Sequence, residues 1–398
     1  MSAQKTSSRP WLIALPTVGL LVLGLIWSGF WYYSSLQAEA AMEAWRTREA
    51  GSGRVYGCTK AEFGGYPFRI EVTCSDPSVD DRTSALSIRA RNLSAVAQVW
   101  DPTLVIGEIV GPMTIGPLGG SPITTIDWTL AQASLRGTPG TPERLAVVVD
   151  KPSLQSVPPS DPLVGADHAE FHARFAADST AGHPVLDLAL DLSHFSAPAG
   201  RALTPPLGPL AVAATDASIV AVLRDAPDLA PKPLSQRLRE IQAANGRLEI
   251  KGARLQQGDL IASAEGALAL TPRGTLSGEL KLTIVNFAKL VPMLGIERIT
   301  AQAAPDTLNR FAPALNRIMP GLGGILGGNA GGGSGGTGAS PAGGTVTANA
   351  NAAMLGALAL GGRQTQFEGQ QAVSLTLRFD DGAVQLGPLK LGQIGPLF

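Results

Sequence analysis

At residues 246–284 the chain reads GRLEIKGARLQQGDLIASAEGALALTPRGTLSGELKLTI. Leu248 and Ile250 fall on one side of an extended segment. Leu268 and Leu270 lead into the turn Thr271-Pro272-Arg273-Gly274, and Leu276, Leu280, Leu282 and Ile284 come back from it. Side chains along a strand alternate between two faces, so this spacing gives each strand one apolar face. The stretch predicts a long antiparallel meander covered on one side.

The same rhythm recurs upstream. Ile126, Trp128 and Leu130 alternate with Thr125, Asp127 and Thr129. Leu145, Val147 and Val149 form a second set, and Ala169, Phe171, Ala173 and Phe175 a third. Leu186, Leu188, Leu190 and Leu192 make a fourth. Downstream, Val373, Leu375, Leu377 and Phe379 run to a turn at Asp380-Asp381-Gly382, and Val384 and Leu386 return. Helical spacing is confined to a few places. Leu234, Leu238 and Ile241 predict a helix stopped by Asn245-Gly246. Residues 286–295 and 307–319 are also expected to be helical, Pro292 bending the first and Pro313 lying early in the second. Residues 321–344 hold 13 glycines and predict a flexible loop. Because apolar strands resume beyond it, the loop is expected to be an insertion within one domain.

Composition agrees with a turn-rich β protein: 47 Gly and 30 Pro in 398 residues. Lys plus Arg is 31 against 32 Asp plus Glu, for a net charge of -1. That balance lacks the basic footprint of a nucleic-acid binder.

The N-terminus predicts location. No charge occurs from Pro10 to Ala38, and residues 11–33 form an apolar run of 23. At about 1.5 Å per residue this reaches about 35 Å, enough for a hydrocarbon core of roughly 30 Å. Lys5 and Arg9 precede the run, which puts residues 1–10 in the cytoplasm and the remainder outside. Trp27, Trp31, Tyr32 and Tyr33 gather at its outer end, where aromatic rings favour the interface. The rival reading is a signal peptide cleaved at Ala38-Glu39-Ala40. The run exceeds the usual apolar region of such peptides, and its aromatic end is unlike a cleavage site. Residues 34–50 continue helically as a stalk, with Leu36, Ala40, Ala44 and Trp45 on one stripe and Gly51 and Gly53 ending it. Residues 51–398 form the external β-rich domain.

Residues 54–77 predict the hairpin that follows the stalk. Folding it about Tyr66 sets Cys58 opposite Cys74 and Lys60 opposite Val72, so the two cysteines share a face and pair as a disulfide in an oxidising compartment. The turn residues Tyr66, Pro67 and Phe68 suit either an exposed recognition tip or a packed corner; aromatics beside a disulfide favour the packed corner.

No catalytic constellation stands out. His168 and His172 are four apart but read H-A-E-F-H, which matches no zinc signature. They fit better on the wet face of a strand with Glu170 and Arg174. The G-x-S-x-G and G-x-G-x-x-G matches at 331–336 lie in the glycine-rich loop and follow from its composition. Asp80-Asp81 and Asp380-Asp381 suit turns. The expectation is no catalytic residue, no metal site and no cofactor.

Three stretches together resemble the bacterial family known as domain of unknown function DUF2125. They are the membrane helix with its Trp-bearing stalk and the GGYPFR turn, the meander at 246–284, and the ending DDGAVQLGPLKLGQIGPLF. The meander is also similar in rhythm to AsmA-like envelope proteins, whose G-x-L-x-L strands build a long curved sheet. The resemblance implies an inner-membrane protein facing the periplasm, and the AsmA likeness implies lipid-related work. The overall expectation is a mainly β protein with a few helices, in which a transmembrane helix carries an elongated, curved antiparallel sheet, AsmA-like in form. Its expected role is binding or shielding membrane lipids in envelope maintenance. A second reading is an anchored scaffold for other envelope proteins, and a third, weaker one is a periplasmic hydrolase.

Overall fold

The computed structural model describes residues 10–138, 141–157, 163–177, 179–180, 182–197, 213–226, 228, 232–287, 289, 362–386 and 389–398. Of the helix expected at 286–295 only residues 286, 287 and 289 are described, Phe287 and Lys289 being helical and Lys289 N–H donating to Asn286 O at 2.9 Å; the helix expected at 307–319 and the loop at 321–344 lie outside the described residues.

Helix α1 (Pro10–Gly51) is continuous, so the apolar span and the expected stalk are one rod of about 63 Å. Its part from Leu15 to Gly51 contains a window long and apolar enough to cross a membrane. Gly53 takes a φ of 89° just beyond the end, as a helix stop requires.

All strand pairing is antiparallel, in a 7-stranded and a 16-stranded sheet. The chain passes between the sheets repeatedly, so most early strands come as two collinear halves. β1 (Arg54–Gly57) continues as β2 (Lys60–Gly64), and β3 (Arg69–Ser75) as β4 (Ser78–Asp81). β5 (Leu86–Arg89) continues as β6 (Asn92–Gln98), and β7 (Asp101–Val110) as β8 (Met113–Pro117). β9 (Thr124–Asp127) continues as β10 (Leu130–Thr138), β11 (Thr141–Asp150) as β12 (Ser153–Ser156), and β13 (Val164–Gly165) as β14 (His168–Phe175). The halves meet along one crease. Backbone hydrogen bonds such as Asp76 N–H to Arg91 O (3.1 Å) and Lys151 N–H to Asp167 O (2.9 Å) carry the ladder through it.

The residues at the crease explain the bend. Pro77, Pro112 and Pro152 have no N–H to give to a flat ladder, and Asp76 and Lys151 before two of them adopt φ near 50°. Gly111 is needed for close approach, since a Cβ there would sit 2.9 Å from Asp127 Oδ1 and 3.4 Å from the Trp128 ring.

The larger sheet then continues through β15 (Val185–Phe195), β16 (Thr215–Arg224), β17 (Arg247–Gln257), β18 (Leu260–Leu270) and β19 (Leu276–Val285). Helix α2 (Leu234–Ala243) interrupts between β16 and β17, burying Ile241 while Leu234 stays exposed. The last strands are β20 (Arg363–Phe367), β21 (Gln370–Asp380), β22 (Ala383–Leu386) and β23 (Leu389–Gln393). β21 pairs directly with β19, so the strands on either side of residues 290–361 belong to one sheet. The sheet path runs from β2 to β23 without closing.

Two sequence expectations are corrected. The hairpin at 54–77 is not a single pair of strands. Lys60 faces Ser75 and Phe63 faces Val72, while β1 leaves to pair with β4 in the other sheet. The turn therefore centres beyond Pro67 rather than on Tyr66. The disulfide still forms, with Cα atoms 5.6 Å apart, but it ties the crease at Cys58 to Cys74 on β3 rather than two facing strand residues. Likewise Ile126, Trp128 and Leu130 are not one strand: the chain changes sheet at Trp128-Thr129.

Candidate functional site

Residues that face one another across antiparallel ladders point to the same side. Following one such row through the larger sheet gives Phe63, Val72, Ala95, Gly107, Ala133, Val147, Phe171, Leu190, Ile219, Ala253, Ala264, Leu282 and Leu375. The adjoining row on that side reads Ile70, Ala97, Val105, Leu135, Leu145, Ala173, Leu188, Ala221, Ile250, Gly266, Leu280, Leu377 and Leu386. Neither row contains a polar side chain. At about 4.8 Å per strand the apolar face extends about 58 Å. The opposite side carries Thr73, Ser94, Glu108, Gln132, Val148, Glu170, Asp191, Ser218, Arg254, Ser263, Thr283 and Ser374 in one row. The adjoining row on that side mixes Glu71, Ser134 and His172 with Val96, Ile106, Ala146 and Val220, so the sheet is apolar on one face and mixed on the other.

The apolar face is not uniformly covered. In β19 and β21 it is largely covered, with Leu280, Ile284, Val373 and Leu375 buried and Leu282 and Leu377 half-buried. From β7 to β17 most of its side chains are only half-buried; Ile109 and Ile219 are 36% and 37% exposed. A local cluster of Ala173, Leu186 and Ala226 with Leu145, Phe171 and Leu188 covers one part. Two packed layers would seal such rows fully. Among the described residues only Leu260, Val285 and Val373 combine size with near-complete burial.

The turn Tyr66-Pro67-Phe68 is an exposed tip and not a packed corner. The Trp27 indole N–H donates to Pro67 O and that of Trp31 to Arg69 O, each at 2.8 Å. Ser28 Oγ lies 2.9 Å from the Tyr66 hydroxyl, and the Trp31 and Tyr66 rings meet edge-on at 5.3 Å. Gly65 makes the turn possible: its φ is 99°, and a Cβ there would lie 2.6 Å from Arg69 O. Tyr66, Phe68 and Trp100 are each 58% exposed. Trp100, at the neighbouring tip between β6 and β7, was not singled out by its sequence pattern. The available signal was a lone Trp beside Asp101-Pro102 at a strand end.

His168 and His172 lie on the polar side, as read from sequence. His168 Nδ1 is 2.7 Å from Asp150 Oδ1, which holds this imidazole above its ordinary pKa. His172 Nε2 is 2.6 Å from Glu170 Oε1, and that hydrogen bond lowers the Glu170 carboxyl. Among the described residues no three His, Cys, Asp or Glu side chains group as a metal site. Two hollows are walled partly by charge. One of about 360 Å³ lies at the crease among Arg91, Glu108, Asp127 and Trp128. The other, about 560 Å³, lies beside Arg247, Glu249, Lys251 and Glu279.

These features define a class of protein: a long apolar helix bearing an open, creased, two-faced antiparallel sheet. The chain belongs to the family described as uncharacterized protein conserved in bacteria (DUF2125), whose model matches residues 31–395. No curated protein and no solved structure matches it.

Proposed function

We propose that this is a non-enzymatic protein of the bacterial inner membrane that holds or shields lipid on the apolar face of its larger sheet, on the periplasmic side. The observation that carries the reading is the unbroken apolar face, half-exposed between β7 and β17. Exposed apolar surface favours a partner that removes it from water, at roughly 25 cal/mol per Å². Acyl chains match a face that offers no hydrogen-bond donor or acceptor from its side chains. The anchoring helix keeps that face near a lipid source.

The test uses neighbouring residues on opposite faces. Ile219 lies on the apolar face, and Val220, also apolar and 54% exposed, lies on the other. A photo-crosslinking amino acid at Ile219 in cells is expected to capture phospholipid, and the same group at Val220 is not. Equal capture at both positions, or protein adducts alone at Ile219, overturns the reading and favours the scaffold.

A further inference from the structure

The upper half of α1 does not hold the domain away from the membrane. It lies along the first strands. Trp45 packs on Tyr56 with ring centroids 4.5 Å apart, the Arg46 guanidinium donates to Tyr56 O at 2.9 Å, and Arg54 pairs with Glu49 at 2.6 Å. At the lower end, Trp27 and Trp31 clasp the β2–β3 tip through the hydrogen bonds to Pro67 and Arg69. From Pro10 to Trp27 the helix rises about 26 Å, close to the roughly 30 Å of a hydrocarbon core. Trp27 therefore reaches the lipid boundary, and the hydrogen bonds fix the tip at the same height.

At that height exposed aromatic side chains gather, beside the exposed Arg69 and Gln98. Tyr66 and Phe68 project from one tip, Trp100 from the next, and Phe30, Tyr32 and Tyr33 from the helix. The Phe68 and Trp100 rings lie 6.4 Å apart, so the two tips form one patch. Val99 N–H donates to Phe68 O at 3.2 Å and locks them together. Tyr and Trp concentrate where a protein surface meets the headgroup layer, because their rings are apolar and their edges polar.

From this geometry we propose that the β2–β3 and β6–β7 tips insert Tyr66, Phe68 and Trp100 into the headgroup–acyl boundary of the membrane that α1 crosses. The inference rests on the reading of α1 as a membrane span. It makes the two tips a foot that fixes the sheet's orientation on the bilayer, where a free stalk would let it swing.

The test places nitroxide labels on single introduced cysteines in the full chain, with Cys58 and Cys74 kept oxidised. The protein is reconstituted in vesicles of equal phosphatidylethanolamine and phosphatidylglycerol. Labels go at Leu20 in the apolar span, at Phe68 and Trp100, and at Ser84, whose turn lies beside Gly53 at the far end of the helix. Phe68 and Trp100 are expected to lose accessibility to an aqueous nickel chelate and gain accessibility to oxygen, at a depth between Leu20 and Ser84. If both are as open to nickel as Ser84 while Leu20 stays in lipid, the foot is overturned and the membrane span stands. If Leu20 is also open to nickel, both fall. Should Phe68→Cys disturb the tip, the Trp100 label decides, since it sits on a separate hairpin.

Discussion

Reducing the Cys58–Cys74 bond is expected to loosen the tip and leave the rest of the sheet unchanged. The bond closes a loop of sequence separation 16 that contains β2, the tip and most of β3. A cross-link of that span lowers the chain entropy of the opened segment by about 3 kcal/mol in free energy. The same segment is also held by the β2–β3 ladder, the β3–β6 ladder and the two indole hydrogen bonds. Reduction therefore raises the population of an opened tip without unfolding the protein. At about 1.4 kcal/mol per tenfold, the opening population rises on the order of a hundredfold. Hydrogen exchange of the full chain, with and without reductant, reads this directly. Amides of Lys60–Gly64 and Arg69–Ser75 are expected to exchange about a hundredfold faster, and those of Arg247–Gln257 and Leu276–Val285 at unchanged rates. Uniform acceleration across the sheet, or none at the tip, would refute the local staple.

Three further outcomes follow from the same geometry. Leu260→Ala removes a side chain 1% exposed, and is expected to cost about 2–5 kcal/mol by urea unfolding in detergent; a loss under about 1 kcal/mol would contradict the packing at that site. Gly65→Ala forces a Cβ toward Arg69 O at positive φ, and is expected to speed exchange at the tip amides by an amount equivalent to about 1–3 kcal/mol. Hydrogen bonds from Arg224 and then Lys251 hold the Glu249 carboxyl at about 2, below its ordinary 4.5. A lowered carboxyl pKa stabilises the fold above the ordinary value and loses that contribution as pH falls toward about 2. Glu249→Gln is expected to flatten the acid sensitivity of β16–β17 amide exchange across that window, and an unchanged acid limb would count against it.

The amphipathic meander was legible because alternation is local. Leu248, Leu268, Leu280 and Leu375 each declare their face within a few residues, and the ladders align them as expected. The crease was not legible. Pro77, Pro112 and Pro152 carry no pattern that marks a bend, and the chain passes through each without reversing. The bend shifts the alternation, so the apolar set resumes at Val79 after Cys74 and at Leu154 after Val149. For the same reason Ile126, Trp128 and Leu130 read as one strand; the hairpin register differs instead because its turn centres beyond Pro67, with Tyr56–Val79 and Lys60–Ser75 keeping one register across the crease. The exposed tip was also hidden. Its partners Trp27 and Trp31 are 40 and 38 residues away, and no local pattern connects an indole to a distant carbonyl.

The proposed function requires that the apolar face carry lipid. The most direct measurement is the amount of phospholipid that co-purifies with the full chain, by extraction and mass spectrometry, compared between Ile219→Asp and Val220→Asp. Bound phospholipid is expected in the unaltered protein and in Val220→Asp, and its loss in Ile219→Asp with the fold retained by circular dichroism. Equal lipid in both variants, or none in the unaltered protein, would contradict it.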